Sequence, residues 1–158
     1  AVTHAKDLAP TLYELAGAKH PGTEYQGKTV LPVTGKSMLG YLTGKQAFVH
    51  APNEALGWEL GGRKALRKGD WKIVYSNTPW GTGEWELYNL ANDRAETNNL
   101  AAKNPEKLKE LVAEWPRYVA EHGVIEIDNL AARPGYSNAG KYYEDLKSEA
   151  SAKPRTAN

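Results

Sequence analysis

Four histidines, His4, His20, His50 and His122, are the side chains of this 158-residue chain whose ordinary titration range suits proton transfer or metal ligation. No two have the short spacing of a metal-binding pair, and His122 is explained as a cation at the end of a helix. Asp93, Glu96 and Asn98 bring oxygen donors together, but without the ligand and Gly spacing of a calcium loop, so a polar turn is expected. Trp80 and Trp85 stand beside Gly-rich turns, where an indole can stack on a sugar ring; Trp85 with Leu87, at strand spacing, reads as core. There is no Cys, which excludes disulfides and thiolate zinc sites within the chain without identifying its compartment. No catalytic or metal residue is assigned.

Composition narrows the function classes. Twenty Lys and Arg oppose 19 Asp and Glu, a formal net charge of +1 that offers no field for nucleic acid or an acidic membrane. No apolar run approaches the ~20 residues of a membrane helix, and no charged start precedes an apolar stretch as in a signal peptide. The chain begins Ala1-Val-Thr-His-Ala without Met, which leaves room for a targeting segment upstream. The compartment stays open.

The elements follow from periodicity and turn chemistry. Leu8, Leu12 and Leu15 recur at helical spacing within Thr3 to Gly17, with Pro10 in the first turn and Gly17 as the left-handed stop; this helix has one apolar face and needs a partner. Residues 18–36 read as an extended loop, and a second short helix follows Ser37 through Met38, Leu39, Tyr41 and Leu42 to Gly44. Ala65 to Arg67 and Trp71 to Tyr75 flank Lys68-Gly-Asp70 as a β-hairpin, with Trp71, Ile73 and Tyr75 on one face; Trp85 to Tyr88 is a further strand after the turn Thr78 to Gly83. Pro105 to Glu121 is the best-marked helix, capped by Asn104 and carrying a stripe of Leu108, Leu111, Val112, Trp115, Tyr118 and Val119, with a kink expected at Pro116. Lys141 to Ala150 is a candidate last helix before a mobile end. The predicted fold class is α+β: a small antiparallel sheet covered by a long C-terminal amphipathic helix, with the N-terminal helix at the edge of another domain.

Several of these segments resemble the sulfatases, and they occur in that family's order. Asp7-Leu-Ala-Pro-Thr-Leu-Tyr-Glu-Leu-Ala-Gly17 is similar to the helix that ends the family's catalytic domain, and Gly35-Lys-Ser to the segment after it. Ala65-Leu-Arg-Lys-Gly-Asp-Trp-Lys72 is similar to the hairpin of its C-terminal sheet. Trp85-Glu-Leu-Tyr-Asn-Leu-Ala-Asn-Asp-Arg-Ala-Glu-Thr-Asn-Asn-Leu100 looks like the strand, turn and acidic loop leading to its last helix. The pattern covers about Val2 to Val124 and looks closest to bacterial arylsulfatases. It divides the chain into the end of a catalytic domain over 1–44, a C-terminal subdomain over 45–124, and an extension over 125–158.

The resemblance implies hydrolysis of sulfate esters by a formylglycine, made from the Cys or Ser of Cys/Ser-X-Pro-X-Arg, together with a calcium ion. None of Ser37, Ser76, Ser137, Ser148 and Ser151 stands in that motif, so this chain alone is expected to be inert, and its partners are the missing catalytic domain and, in the intact enzyme, a sulfate ester. In many relatives the stretch matching Trp58-Glu-Leu-Gly-Gly-Arg-Lys-Ala65 carries His at the place of Leu60, facing the cleft. The resemblance thus makes Trp58, Glu59 and Leu60 candidate substrate-binding residues, with Leu60 favouring a hydrophobic organic group; otherwise Trp58 belongs to the core and Glu59 to solvent. An apolar face left by the catalytic domain, around Leu8, Leu12, Leu15 and part of the sheet, implies self-association of the isolated chain. The alternative is a stand-alone interaction or carbohydrate-binding module without hydrolytic activity, and a third reading is a purely structural remnant.

Overall fold

The computed structural model describes residues 1–78 and 80–126. The candidate helix Lys141 to Ala150 and the tail beyond it lie outside the described residues. The chain forms two compact units, Ala1–Leu56 and Gly57–Asn158.

In the first unit, a single 3-10 turn at Ala5–Asp7 leads into α1, Leu8–Leu15. The entry to this turn is closed reciprocally: the Lys6 amide donates to His4 Nδ1 at 3.3 Å and the His4 amide to Asp7 Oδ2 at 2.7 Å. Gly17 closes the helix with φ +64, the left-handed conformation its position predicted. The expected loop over 18–36 contains two short paired strands, β1 (Glu24–Tyr25) and β2 (Lys28–Thr29). Gln26 and Gly27, at φ 50 and 73, turn the chain between them; both positions need positive φ, and Gln-Gly lacks the Asn or Asp that usually advertises such a turn. α2 is one turn, Leu39–Leu42, where a short helix was expected.

The second unit is built on a four-stranded antiparallel sheet in the order β3-β4-β5-β6, with β3 at Ala55–Leu60, β4 at Arg63–Lys68, β5 at Trp71–Tyr75 and β6 at Trp85–Asn89. The hairpin at Gly69-Asp70 forms as its sequence requires, with Lys68 opposite Trp71 and Gly69 at φ +63. β3 was not anticipated. Its signal is present in the buried and exposed residues of Leu56-Gly-Trp-Glu-Leu60 and in the Gly61-Gly62 pair, both at positive φ, that joins it to β4.

The register sets Leu66, Ile73 and Leu87 in one row across three strands, and all three are fully buried. α3, Pro105–His122, covers β4, β5 and β6 with Leu111 and Trp115, the buried members of its stripe. Tyr75, Trp85, Trp115, Tyr118 and His122 then follow one another ring to ring at centroid separations of 5.5, 5.8, 5.6 and 4.2 Å. Burial, followed by the nearby Glu121 charge, pushes the Tyr118 phenol up, and its hydroxyl donates to the Gly57 carbonyl at 2.7 Å.

One helix expectation needs correction. Asn104 occupies the N-cap position, but its side chain makes no capping bond; its carbonyl accepts from the Leu108 amide at 3.0 Å. α3 holds Pro116 inside it, as expected, and runs one residue past the expected Glu121, to His122, before Gly123 closes it at φ 64.

Candidate functional site

Within the first unit, Asp7 and His50 are the buried ionisable side chains, at 0% and 5% residue exposure. His50 Nε2 lies 2.7 Å from Asp7 Oδ2 and Nδ1 lies 2.9 Å from Glu54 Oε1. Asp7 also accepts from the His4 amide at 2.7 Å and, through Oδ1, from the Lys36 amide at 2.9 Å. Glu54 Oε2 accepts from Lys36 Nζ at 2.6 Å and from the Ala51 amide at 3.2 Å. Burial alone would raise both carboxyls. For Asp7 the Lys36 and His4 amides and the His50 ring outweigh it, and for Glu54 Lys36 and His50 do, so both are held below the usual range.

This cluster ties together three stretches that lie far apart in sequence. Thr11 Oγ1 extends it, donating to the Asp7 carbonyl at 2.6 Å and accepting from the Met38 amide at 2.8 Å. Gly35 fits because only a glycine permits the approach: a Cβ there would sit 1.9 Å from the Lys6 carbonyl oxygen. Asp7, Thr11 and Gly35-Lys-Ser therefore have one physical purpose, to dock residues 35–38 on the start of α1. Both His50 nitrogens face carboxylate oxygens in a site closed to solvent, so the ring has no nitrogen left for a substrate or metal. Spacing missed this histidine: its Glu54 partner is one helical turn away, but its Asp7 partner is 43 positions away.

The three residues singled out by the sequence lie on β3. Trp58 is 38% exposed and Leu60 83% exposed, which removes Trp58 from the core. The Glu59 carboxylate accepts from the Gly62 amide at 2.8 Å and so braces the β3–β4 turn. The antiparallel register, with Lys64 opposite Tyr75 and Tyr75 opposite Trp85, places that turn and the β5–β6 connection at one end of the sheet. Arg63 and Trp80 meet there, the guanidinium carbon 5.5 Å from the ring centroid.

The acidic turn after β6 is held by its own backbone. Asp93 accepts from the Thr97 and Asn98 amides, both at 2.8 Å; the Asn98 amide, then that of Thr97, lowers its carboxyl. Glu96 pairs with Lys72 at 2.6 Å. Among the described residues no group of three His, Cys, Asp or Glu side chains could hold a metal, and no helix is long and apolar enough to cross a membrane.

No family model matches the chain. An uncharacterized sulfatase of the fission yeast Schizosaccharomyces pombe is 42% identical over 120 residues, 75% of this chain and 21% of the relative. A sulfatase of the bacterium Formosa agariphila is 32% identical over 112 residues, 65% of this chain and 19% of that protein. The chain thus spans about a fifth of the length of these relatives. A crystal structure of a putative sulfatase from Bacteroides thetaiotaomicron superposes with a TM-score of 0.53 at 25% identity, covering 82% of this chain and 29% of that one. A structure described as a 2-O GAG sulfatase shares the fold, with a TM-score of 0.54 at 24% identity over 81% of this chain and 26% of its own. Ordered motifs, the antiparallel sheet under its helix and these two curated relatives agree: over the matched residues, the chain belongs to the sulfatase family.

Proposed function

We propose that this chain is the C-terminal part of an arylsulfatase-like enzyme that hydrolyses sulfate esters, where it supplies stability and one wall of the substrate cleft through Trp58, Glu59 and Leu60. The observation that carries the reading is the long match to sulfatases roughly five times the length of the matched segment. The division follows the sequence: residues 1–44 finish the catalytic domain, 45–124 form the C-terminal subdomain and 125–158 extend it.

The first unit supports a missing neighbour. Leu8, Leu12 and Leu15 lie along α1 at 57%, 63% and 60% exposure, an apolar stripe that a catalytic domain would cover. Calcium and a formylglycine would belong to that domain. Asp93 is engaged by backbone amides and Glu96 by Lys72, so the described residues offer the ion no fitting donor set, and no step of the reaction is assigned to them. The role left to this chain is to present the exposed edge of β3, rigidified by the Glu59 brace, to the organic part of the ester.

The test is expression of the chain joined to the coding sequence upstream of Ala1, assayed with an aryl sulfate beside the chain alone. The longer protein is expected to release sulfate and the chain alone to be inert and self-associating. A longer protein containing Cys/Ser-X-Pro-X-Arg that hydrolyses no sulfate ester, or a strictly monomeric chain that binds no hydrophobic dye, would overturn the proposal.

A further inference from the structure

We propose that Arg63 and Trp80 form a specificity subsite for a sulfate ester whose organic group is a ring bearing a second anionic substituent: the indole takes the ring and the guanidinium takes the substituent. The inference rests on the sulfatase reading above and identifies the class of substrate that the wall selects.

Trp80 differs from the tryptophans that build the fold. Trp85 and Trp115 are members of the ring series over the sheet, whereas the Trp80 ring, half-buried in the β5–β6 connection, has no aromatic partner among the described residues. The Arg63 guanidinium carbon lies 5.5 Å from its centroid. Arg63 in turn is exposed and makes no ion pair among the described residues, unlike Lys64, Lys68 and Lys72 on the same sheet, each of which is matched to a glutamate. A guanidinium near an aromatic face keeps its in-plane N–H donors for an anion, and the planar fork suits carboxylate or sulfate oxygens. Both residues stand at the sheet end where the Gly61-Gly62 turn joins β3 to β4, and the highly exposed Leu60 immediately precedes that turn. An exposed apolar residue, a half-buried ring and a cation without an ion pair among the described residues therefore stand at the same end of the sheet.

The test titrates the 15N-labelled chain with 4-carboxyphenyl sulfate, phenyl sulfate and methyl sulfate, following the Trp80 indole and Arg63 side-chain N–H signals. Saturable shifts are expected with the two ring esters and none with methyl sulfate, with the carboxylated ring binding about tenfold more tightly. Arg63→Ala should bring its affinity down to that of phenyl sulfate; Trp80→Ala should abolish both, with Trp80→Phe restoring part. Unchanged amide exchange at Ile73 and Leu87 would show that the variants remain folded. Methyl sulfate shifting the same signals equally, no shifts with any probe, or an Arg63→Ala variant that still prefers the carboxylated ring would overturn the subsite. Its failure is separable from that of the sulfatase reading, which is decided by sulfate release from the longer protein.

Discussion

Replacing Asp7 by Ala should dissolve the clasp of the first unit while leaving the second intact. The carboxylate is fully buried and serves three donors: the His4 amide, the Lys36 amide and His50 Nε2. An orphaned buried donor costs about 1–3 kcal/mol, and removing one partner of a buried ionic pair costs about 3–5 kcal/mol. His50 keeps Glu54 and the two amides can reach water in part, so the larger figure bounds the loss at about 3–5 kcal/mol. Read as amide hydrogen exchange, that loss accelerates Lys36 and Met38 by roughly a hundredfold to several thousandfold. Asp7→Asn separates shape from chemistry: its oxygen can still serve Lys36, but its amide nitrogen turns a donor toward His4 and His50, so it too should loosen the unit. Ile73 and Leu87 amides should be unaffected in both variants. An acceleration below about tenfold at Lys36 would refute the reasoning, because the buried contacts would then contribute no more than one ordinary hydrogen bond.

Two further outcomes follow from the same contacts. Asp7 and Glu54 are held below their ordinary values of 3.8 and 4.5, so their contribution is complete above those values and disappears as pH falls through the depressed ones; acid titration should open the first unit from about pH 5 downward, and this limb should shrink in Asp7→Ala. In the second unit a Cβ on Gly57 would lie 2.6 Å from the Tyr118 ring, so Gly57→Ala should lose about 1–3 kcal/mol by urea denaturation, against about 1 kcal/mol for Tyr118→Phe, which removes only the bond to the Gly57 carbonyl.

Much of the second unit was legible in the sequence because its signals are local. The stripe on α3, the Lys68-Gly-Asp70 connection and the alternation from Trp71 to Tyr75 express periods of a few residues, and the row Leu66, Ile73, Leu87 follows once the hairpin register is set. Gly17 and Gly123 likewise marked helix ends through their freedom at positive φ. Ordered motifs carried the family.

What tertiary structure decided was pairing across distance. Nothing near His50 announces that Asp7 lies against it, since the bond joins positions 43 apart and depends on Gly35 letting residues 35–38 approach Lys6. The β1–β2 pair escaped notice because its turn uses Gln-Gly, and β3 because a sheet-edge strand shows a weak alternation until its neighbour exists. Arg63 and Trp80 are 17 positions apart and become neighbours only when the antiparallel sheet returns the chain to the same end. The sequence by itself determined the helices, the β4–β5 hairpin, β6 and the family; the strands β1 to β3, the polar groups that close a clasp and those that face a ligand emerged only from folding, because those contacts join segments whose separation no local period encodes.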